Sequence, residues 1–361
     1  MKNTKIVLVT ECPYAGVLRA IISNAKIFKS LGFDVHLVIP EVDRDRYGEV
    51  ADRNILDFQL IGDVHRIPLL KGYIYIRKNK EHLKKFLMTM GKHVVVSYGS
   101  YAGKVTRSLY QDGDIEVVYH VPQCIDIQRM TLRFKLIESI FERFLSRFAT
   151  GYFACGSSEA YNFAHNYRIP SNKIVFCPNF TKNVQHEGGK INRLKYRFIY
   201  VGRIVKSKGL NSVLEALERI GALNEIVVVG DGPDKSDLEK NYSSATFVGN
   251  VPNAEVFQYL NSASFIVSNS LVEGLPFSIL EAMSMGVVPI LSAVDGHEDL
   301  IIDAYNGFLF RDERELTNLL FKTNFISDKC YNFLSDNARR VSRNCYNITK
   351  KNLEQHFKLY D

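Results

Sequence analysis

None of the six cysteines, Cys12, Cys124, Cys155, Cys177, Cys330 and Cys345, belongs to a CxxC pair or has a histidine at metal-ligand spacing. That speaks against a disulfide scaffold and against a zinc site, and a reducing cytoplasm fits best. Apolar runs of transmembrane length are missing as well, and the stretch before Glu11 is too short for a signal-peptide core. There is no low-complexity tract and no short-period repeat. What is present is an ordinary globular composition, 46% hydrophobic and 24% charged over 361 residues. Single cores stop growing at roughly 250 to 300 residues, so two domains are expected.

The charge is uneven. Residues up to Pro178 carry 25 Lys and Arg against 17 Asp and Glu, whereas residues 179 to 361 carry 21 against 22. The net +7 therefore belongs to the first half.

Short apolar runs alternate with segments of helical period along the whole chain. The first half has "KIVLVT", "VHLVI", "VVVSY", "IEVVYH" and "GYFAC"; the second has "RFIYVG", "EIVVVG", "TFVG", "SFIVSN", "VVPIL" and "GFLF". This is the grammar of parallel sheets covered by helices, repeated twice. Residues 179–195 lack apolar periodicity and carry Gly188 and Gly189, which reads as a linker between a domain at 1–178 and a second at 196–343. The segment 344–361 reads as a helix crossing back to the first domain. Ligands of such sheets lie beyond the carboxyl ends of the strands, here in a cleft between two facing domains.

In "SFIVSNSLVEGLPFSILEAMSMG" a strand ends near Asn269, Glu273 lies in the loop, and Pro276 suits the start of a helix reaching Gly286. The first-turn amides of Phe277, Ser278 and Ile279, at the positive end of the helix dipole, offer a phosphate site. Glu281, one turn further in, leans back toward that anion and is placed to accept hydrogen bonds from a ribose diol. The bland alternative makes Glu273 a favourable charge near a helix start and Glu281 an exposed helix position. In "FIYVGRIVKSKGL", Arg203 follows a strand end and Lys208 precedes the next helix, two cations suited to a diphosphate; Lys206 reads as a solvated loop lysine. The turn "VVVGDGPD" carries Gly230 and Gly232, which would let the backbone approach a nucleotide.

Taken together, "VGR" with "KG" five residues after its arginine, "VVGDGP", and the E-x7-E element "EGLPFSILE" resemble the family-four retaining glycosyltransferases of GT-B fold. The likeness spans residues 197–310, and "VYHVPQ", "FACGSSEA" and "IPSNKIVFCPNF" extend it more loosely into the first half. It implies two Rossmann-like domains, a nucleotide-diphosphate-sugar donor on the second, a glycan or lipid-linked acceptor on the first, and transfer with retention. It also implies Arg203 and Lys208 on the diphosphate, Glu281 on the ribose, Glu273 on the donor-sugar hydroxyls, and His120, the end of "IEVVYH", pointing into the cleft to hydrogen-bond the same sugar. Gly16 stands where that family has a glycine-rich first loop, and Asp295 and Glu298 rank below the others as sugar contacts. No cofactor and no metal is expected: Asp43-x-Asp45 reads as a solvated loop and Asp112-x-Asp114 as a turn.

Two basic amphipathic segments remain. Lys71–Lys92 and Arg129–Phe148 each combine an apolar stripe with flanking cations. Either the stripes pack in the core, or they dock the protein peripherally on the anionic inner leaflet where a lipid-linked acceptor is presented. Nucleic acid is the poorer reading, because no recognised binding module accompanies the charge. Two other functions compete with a transferase of surface polysaccharide or lipopolysaccharide synthesis. One is a catalytically silent nucleotide-sugar-binding protein; the other is a dehydrogenase, whose G-x-G-x-x-G is missing from "ECPYAGVLRA".

Overall fold

The structure is a computed structural model describing residues 4–10, 15–40, 57–60, 80–121, 140, 142–181 and 195–360. The chain divides into two compact units, Met1–Pro178 with Ile348–Asp361, and Asn179–Asn347.

In the first unit the apolar runs become strands β1 (Lys5–Thr10), β2 (Asp34–Pro40), β4 (His93–Tyr98), β5 (Val118–Val121) and β6 (Gly151–Ala154), with short β3 (Asp57–Leu60) and β7 (Ile174–Phe176) at the edges. They form one sheet in the order β3-β2-β1-β4-β5-β6-β7, parallel throughout. Val7, Val9, Val95, Leu83, Leu87, Val105 and Leu109 share a core between strands and helices. The second unit pairs β8 (Tyr196–Val201), β9 (Ile226–Val229), β10 (Thr246–Gly249), β11 (Ala263–Ser268), β12 (Val288–Ser292) and β13 (Phe308–Phe310). Their order is β10-β9-β8-β11-β12-β13, again parallel. Ile226, Val228, Val267 and Ile290 are buried together with Leu210, Val213 and Leu217 of the helix Leu210–Arg219. Strands enclosed by helices on both faces need continuous apolar runs, which is why these segments do not alternate.

Strand order reverses between β1 and β4 in one sheet and between β8 and β11 in the other. The loops leaving β8 and β11 therefore diverge from neighbouring strand ends, and a parallel sheet offers its ligand crevice at that place.

One helix, Asp328–Phe357, belongs to both units, which divide within it between Asn347 and Ile348. It starts well before the expected Asn344. Its end is held in the first unit by Thr349 Oγ1 donating to Pro178 O at 2.7 Å and by Phe357, whose ring lies 4.7 Å from Phe28 and 4.9 Å from Tyr119. Residues 182–194 of the expected linker lie outside the described residues.

Candidate functional site

The loop after β8 is braced from both sides. Tyr200 Oη donates to Arg203 O at 2.8 Å, Ile204 N to Asp231 O at 2.8 Å, and Gly202 N to Val229 O at 3.0 Å. Gly230 has φ 143°, and a Cβ there would lie 1.9 Å from Gly202 O; one on Gly232 would lie 2.1 Å from Ile204 O. The close approach these glycines permit is between two protein loops. Arg203 and Lys206 are exposed. Lys208 ends a short turn, and Gly209, at φ 63°, caps the following helix where a Cβ would meet Asn269 O at 2.0 Å. Only glycine meets both conditions.

The loop after β11 lies against the first one. Leu271 N donates to Ser207 O at 2.9 Å, and Lys208 Nζ meets Glu273 Oε1 at 2.5 Å. Glu273 is thus an ion-pair partner of Lys208. Helix Phe277–Met285 follows Pro276 and ends on Gly286 at φ 80°. The amides of Phe277, Ser278 and Ile279 precede the first intrahelical bond, made by Leu280 N to Pro276 O at 3.2 Å. Glu281 is 6% exposed, which overturns its reading as an exposed helix position. Arg203, Lys208, Glu273 and this helix start therefore occupy the two loops leaving the switch point of one sheet.

Asp295 and Glu298 are exposed on the short helix Asp295–Glu298, while His297 between them is fully buried. His297 was not singled out in the sequence. Its Nδ1 lies 2.9 Å from Ser292 O, and burial lowers its pKa, opposed by Glu273, so the ring is neutral. The signal that could have found it is a set of buried serines, Ser268 and Ser292 at the ends of core strands and Ser270 in the loop just beyond the first of them.

In the first unit, Gly16 is exposed near the start of the helix Ala15–Ser30, and the loop before it, 11–14, lies outside the described residues. His120 neither ends its strand nor projects from its unit, contrary to expectation. It is 1% exposed; its Nδ1 lies 3.0 Å from Ser97 Oγ, and its ring occupies the space a side chain on Gly103 would need. Burial, with Arg107 nearby, brings its pKa down to about 3. The ring is neutral at physiological pH, and its neighbours Ser97, Gly103 and Tyr152 belong to the same unit. Asp112 pairs with Lys80, and Asp114 with Lys84 at 2.7 Å, as suits a turn; Asp43 and Asp45 lie outside the described residues.

Both basic segments are described only in part. Leu83 and Leu87 of the first are core residues, whereas Ile140 and Phe144 of the second are 57% and 48% exposed. Among the described residues, no helix is long and apolar enough to cross a membrane.

Residues 195–322 match a family model described as "Glycosyl transferases group 1". The chain is 39% identical over 102 residues to a putative teichuronic acid biosynthesis glycosyltransferase of Bacillus subtilis, an alignment covering 28% of this chain and 26% of that protein. It is 24% identical over 366 aligned positions to an Escherichia coli UDP-Gal:alpha-D-GlcNAc-diphosphoundecaprenol alpha-1,3-galactosyltransferase, covering 93% and 91% of the two chains. The solved structure of Anabaena HepE in complex with UDP matches with a TM-score of 0.78 at 14% identity over 99% of each chain. The architecture is thus the two-domain α/β GT-B fold. Residues 195–322 are thus similar to the family Glycosyl transferases group 1, and the whole chain is similar to the glycosyltransferases named above.

Proposed function

We propose that this protein is a retaining, metal-independent glycosyltransferase that moves a sugar from a nucleotide-diphosphate-sugar to a hydroxyl of a glycan or lipid-linked glycan. The observation that carries the reading is the joining of Lys208 to Glu273 across the two loops at the sheet's switch point, beside the amide-rich start of Phe277–Met285. An ammonium has three donors, so Lys208 can keep Glu273 and still reach a phosphate oxygen. The bond from the anomeric carbon to the diphosphate oxygen breaks while the acceptor oxygen bonds on the same face. The acceptor's proton passes to the leaving diphosphate, and Arg203, Lys208 and the helix amides stabilise its charge. The diphosphoundecaprenol acceptor of the similar E. coli galactosyltransferase favours a lipid-linked acceptor, and the UDP seen in HepE puts uridine donors first in the assay.

Turnover of UDP-, GDP- and ADP-sugars, measured in EDTA, tests this. Arg203→Ala and Glu281→Ala should each lower kcat/KM by about 10- to 150-fold, the loss of one charge-assisted hydrogen bond. Full turnover in both variants would refute the site. Activity abolished by EDTA and restored by manganese would refute the metal-free mechanism.

Peripheral membrane attachment belongs to the same reading, supported by exposed Ile140 and Phe144 beside exposed Arg143 and Arg147. The protein should float with vesicles containing anionic lipid and stay behind with neutral ones. Equal flotation with both would remove the idea.

A further inference from the structure

Behind the Lys208–Glu273 pair runs a chain of buried hydroxyls that ends on a histidine. Glu273 Oε1, already bonded to Lys208, also accepts from Ser270 Oγ at 2.7 Å, and Ser268 Oγ lies 3.1 Å from the same hydroxyl. The Ser270 carbonyl accepts from Ser292 Oγ at 2.7 Å, and the Ser292 carbonyl faces His297 Nδ1 at 2.9 Å. Ser270 is 1% exposed, Ser292 7% and His297 0%. Buried polar side chains are unfavourable unless their bonds are complete, and strand ends in this core could have carried alanine or valine instead. Of these three, Ser270 alone bonds the carboxylate, and Ser292 and His297 stand behind it in series, each bonding the carbonyl of the one before.

The chain has a direction. A carbonyl can only accept, so Nδ1 of His297 carries the proton and donates to Ser292, leaving Nε2 as the bare nitrogen. Nε2 is enclosed and has no hydrogen-bond partner among the described residues. The hydrogen bonds of the ring are therefore made through Nδ1. The backbone beside it is fixed as well: a Cβ on Gly296 would lie 1.2 Å from the carbonyl oxygen of Gly274, the residue after Glu273.

We propose that Ser270, Ser292 and His297 form a positioning relay that holds the Glu273 carboxylate in one orientation toward the donor sugar. This rests on the reading of Glu273 as a donor-sugar contact. The three act through Glu273 and touch no substrate themselves. Ser292 ties the end of β12 to the loop after β11, and His297 locks Ser292 from the far side.

The amide nitrogen of asparagine can stand in for Nδ1–H, whereas that of glutamine stands in for Nε2. His297→Gln and Ser270→Ala should each lower kcat for donor turnover about 10-fold with a smaller change in KM, while His297→Asn returns to within about threefold of wild type. In a Glu273→Ala background, assayed for its residual turnover, Ser270→Ala should add nothing, because the acceptor it orients is gone. Equal losses in His297→Asn and His297→Gln, or full additivity with Glu273→Ala, would overturn the relay. Nitrogen-15 NMR of the ligand-free protein separates this from the function itself, with the Nδ1–H tautomer of His297 expected. If wild type turns over no donor while that tautomer is seen, the transferase reading fails and the relay geometry stands; an Nε2–H tautomer defeats the relay whatever the activity.

Discussion

Arg107→Ala is expected to lower the stability of the first unit by about 3–5 kcal/mol, the range for removing one partner of a buried ion pair. Arg107 is fully buried, and its guanidinium bonds Glu142 twice, Nη1 to Oε2 at 2.7 Å and Nη2 to Oε1 at 3.0 Å, while Nε donates to Gly103 O at 2.9 Å. Burial alone raises the pKa of Glu142; Arg107 outweighs it, and the net shift is downward. In the wild type the pair's contribution is therefore present above the unfolded glutamate pKa of about 4.3 and is lost as pH falls through the lower folded value. In the variant burial is opposed only by the smaller effects of His120 and Lys104, so the folded pKa moves upward. The variant's deficit should then be widest near pH 7 and narrow toward pH 4. Hydrogen exchange of β4 and β5 amides measures this within the first unit, a useful restriction because two units need not unfold together. Arg107→Met with Glu142→Leu should cost less than Arg107→Ala alone, since no bare charge is left inside. A uniform small loss at every pH would mean the pair is solvated.

The strands that the sequence made plain are those buried on both faces, where Val94–Val96 or Ile226–Val229 leave no polar residue to mislead. Strands β3 and β7, four and three residues long at sheet edges, were not read; β3, Asp57–Leu60, alternates polar and apolar residues and so displays no apolar run. The long helix was read only near its end for a different reason. Its inner face carries Ser335, Asn337, Ser342 and Thr349, which bond the carbonyls of Gly286, Tyr305, Leu280 and Pro178. Those buried polar residues interrupt the stripe that periodicity detects. In the site, residue types and loops were legible from "VGR", "KG" and "EGLPFSILE". The meeting of Lys208 with Glu273, 65 residues apart, was not, because pairing across strands is a property of topology. His120 was placed outward by its nearness to a strand end. What turns it inward is Gly103, whose missing side chain leaves the imidazole its space.

Gly296→Ala should abolish most turnover, by more than about 100-fold, even where the second unit still folds. The added methyl would fall 1.2 Å from Gly274 O, 2.3 Å from Gly274 C and 2.8 Å from Glu273 O. All three neighbours are backbone atoms, so relief requires the loop after β11 or the helix Asp295–Glu298 to move. Overpacking of this kind costs about 1–3 kcal/mol in stability. The larger consequence is positional: the loop that moves carries Glu273, its bond to Lys208 and its bond to Ser270. A displacement near 1 Å at reacting groups costs on the order of 100-fold in rate. Gly221→Ala is the control, because Gly221 sits at φ 71° with no heavy atom within 4 Å of its Cβ position. Its penalty is backbone strain of about 1–2 kcal/mol, and turnover should not change. If the two variants lose equal stability and Gly296→Ala keeps wild-type kcat, the clamp between Gly296 and Gly274 does not set the geometry of Glu273.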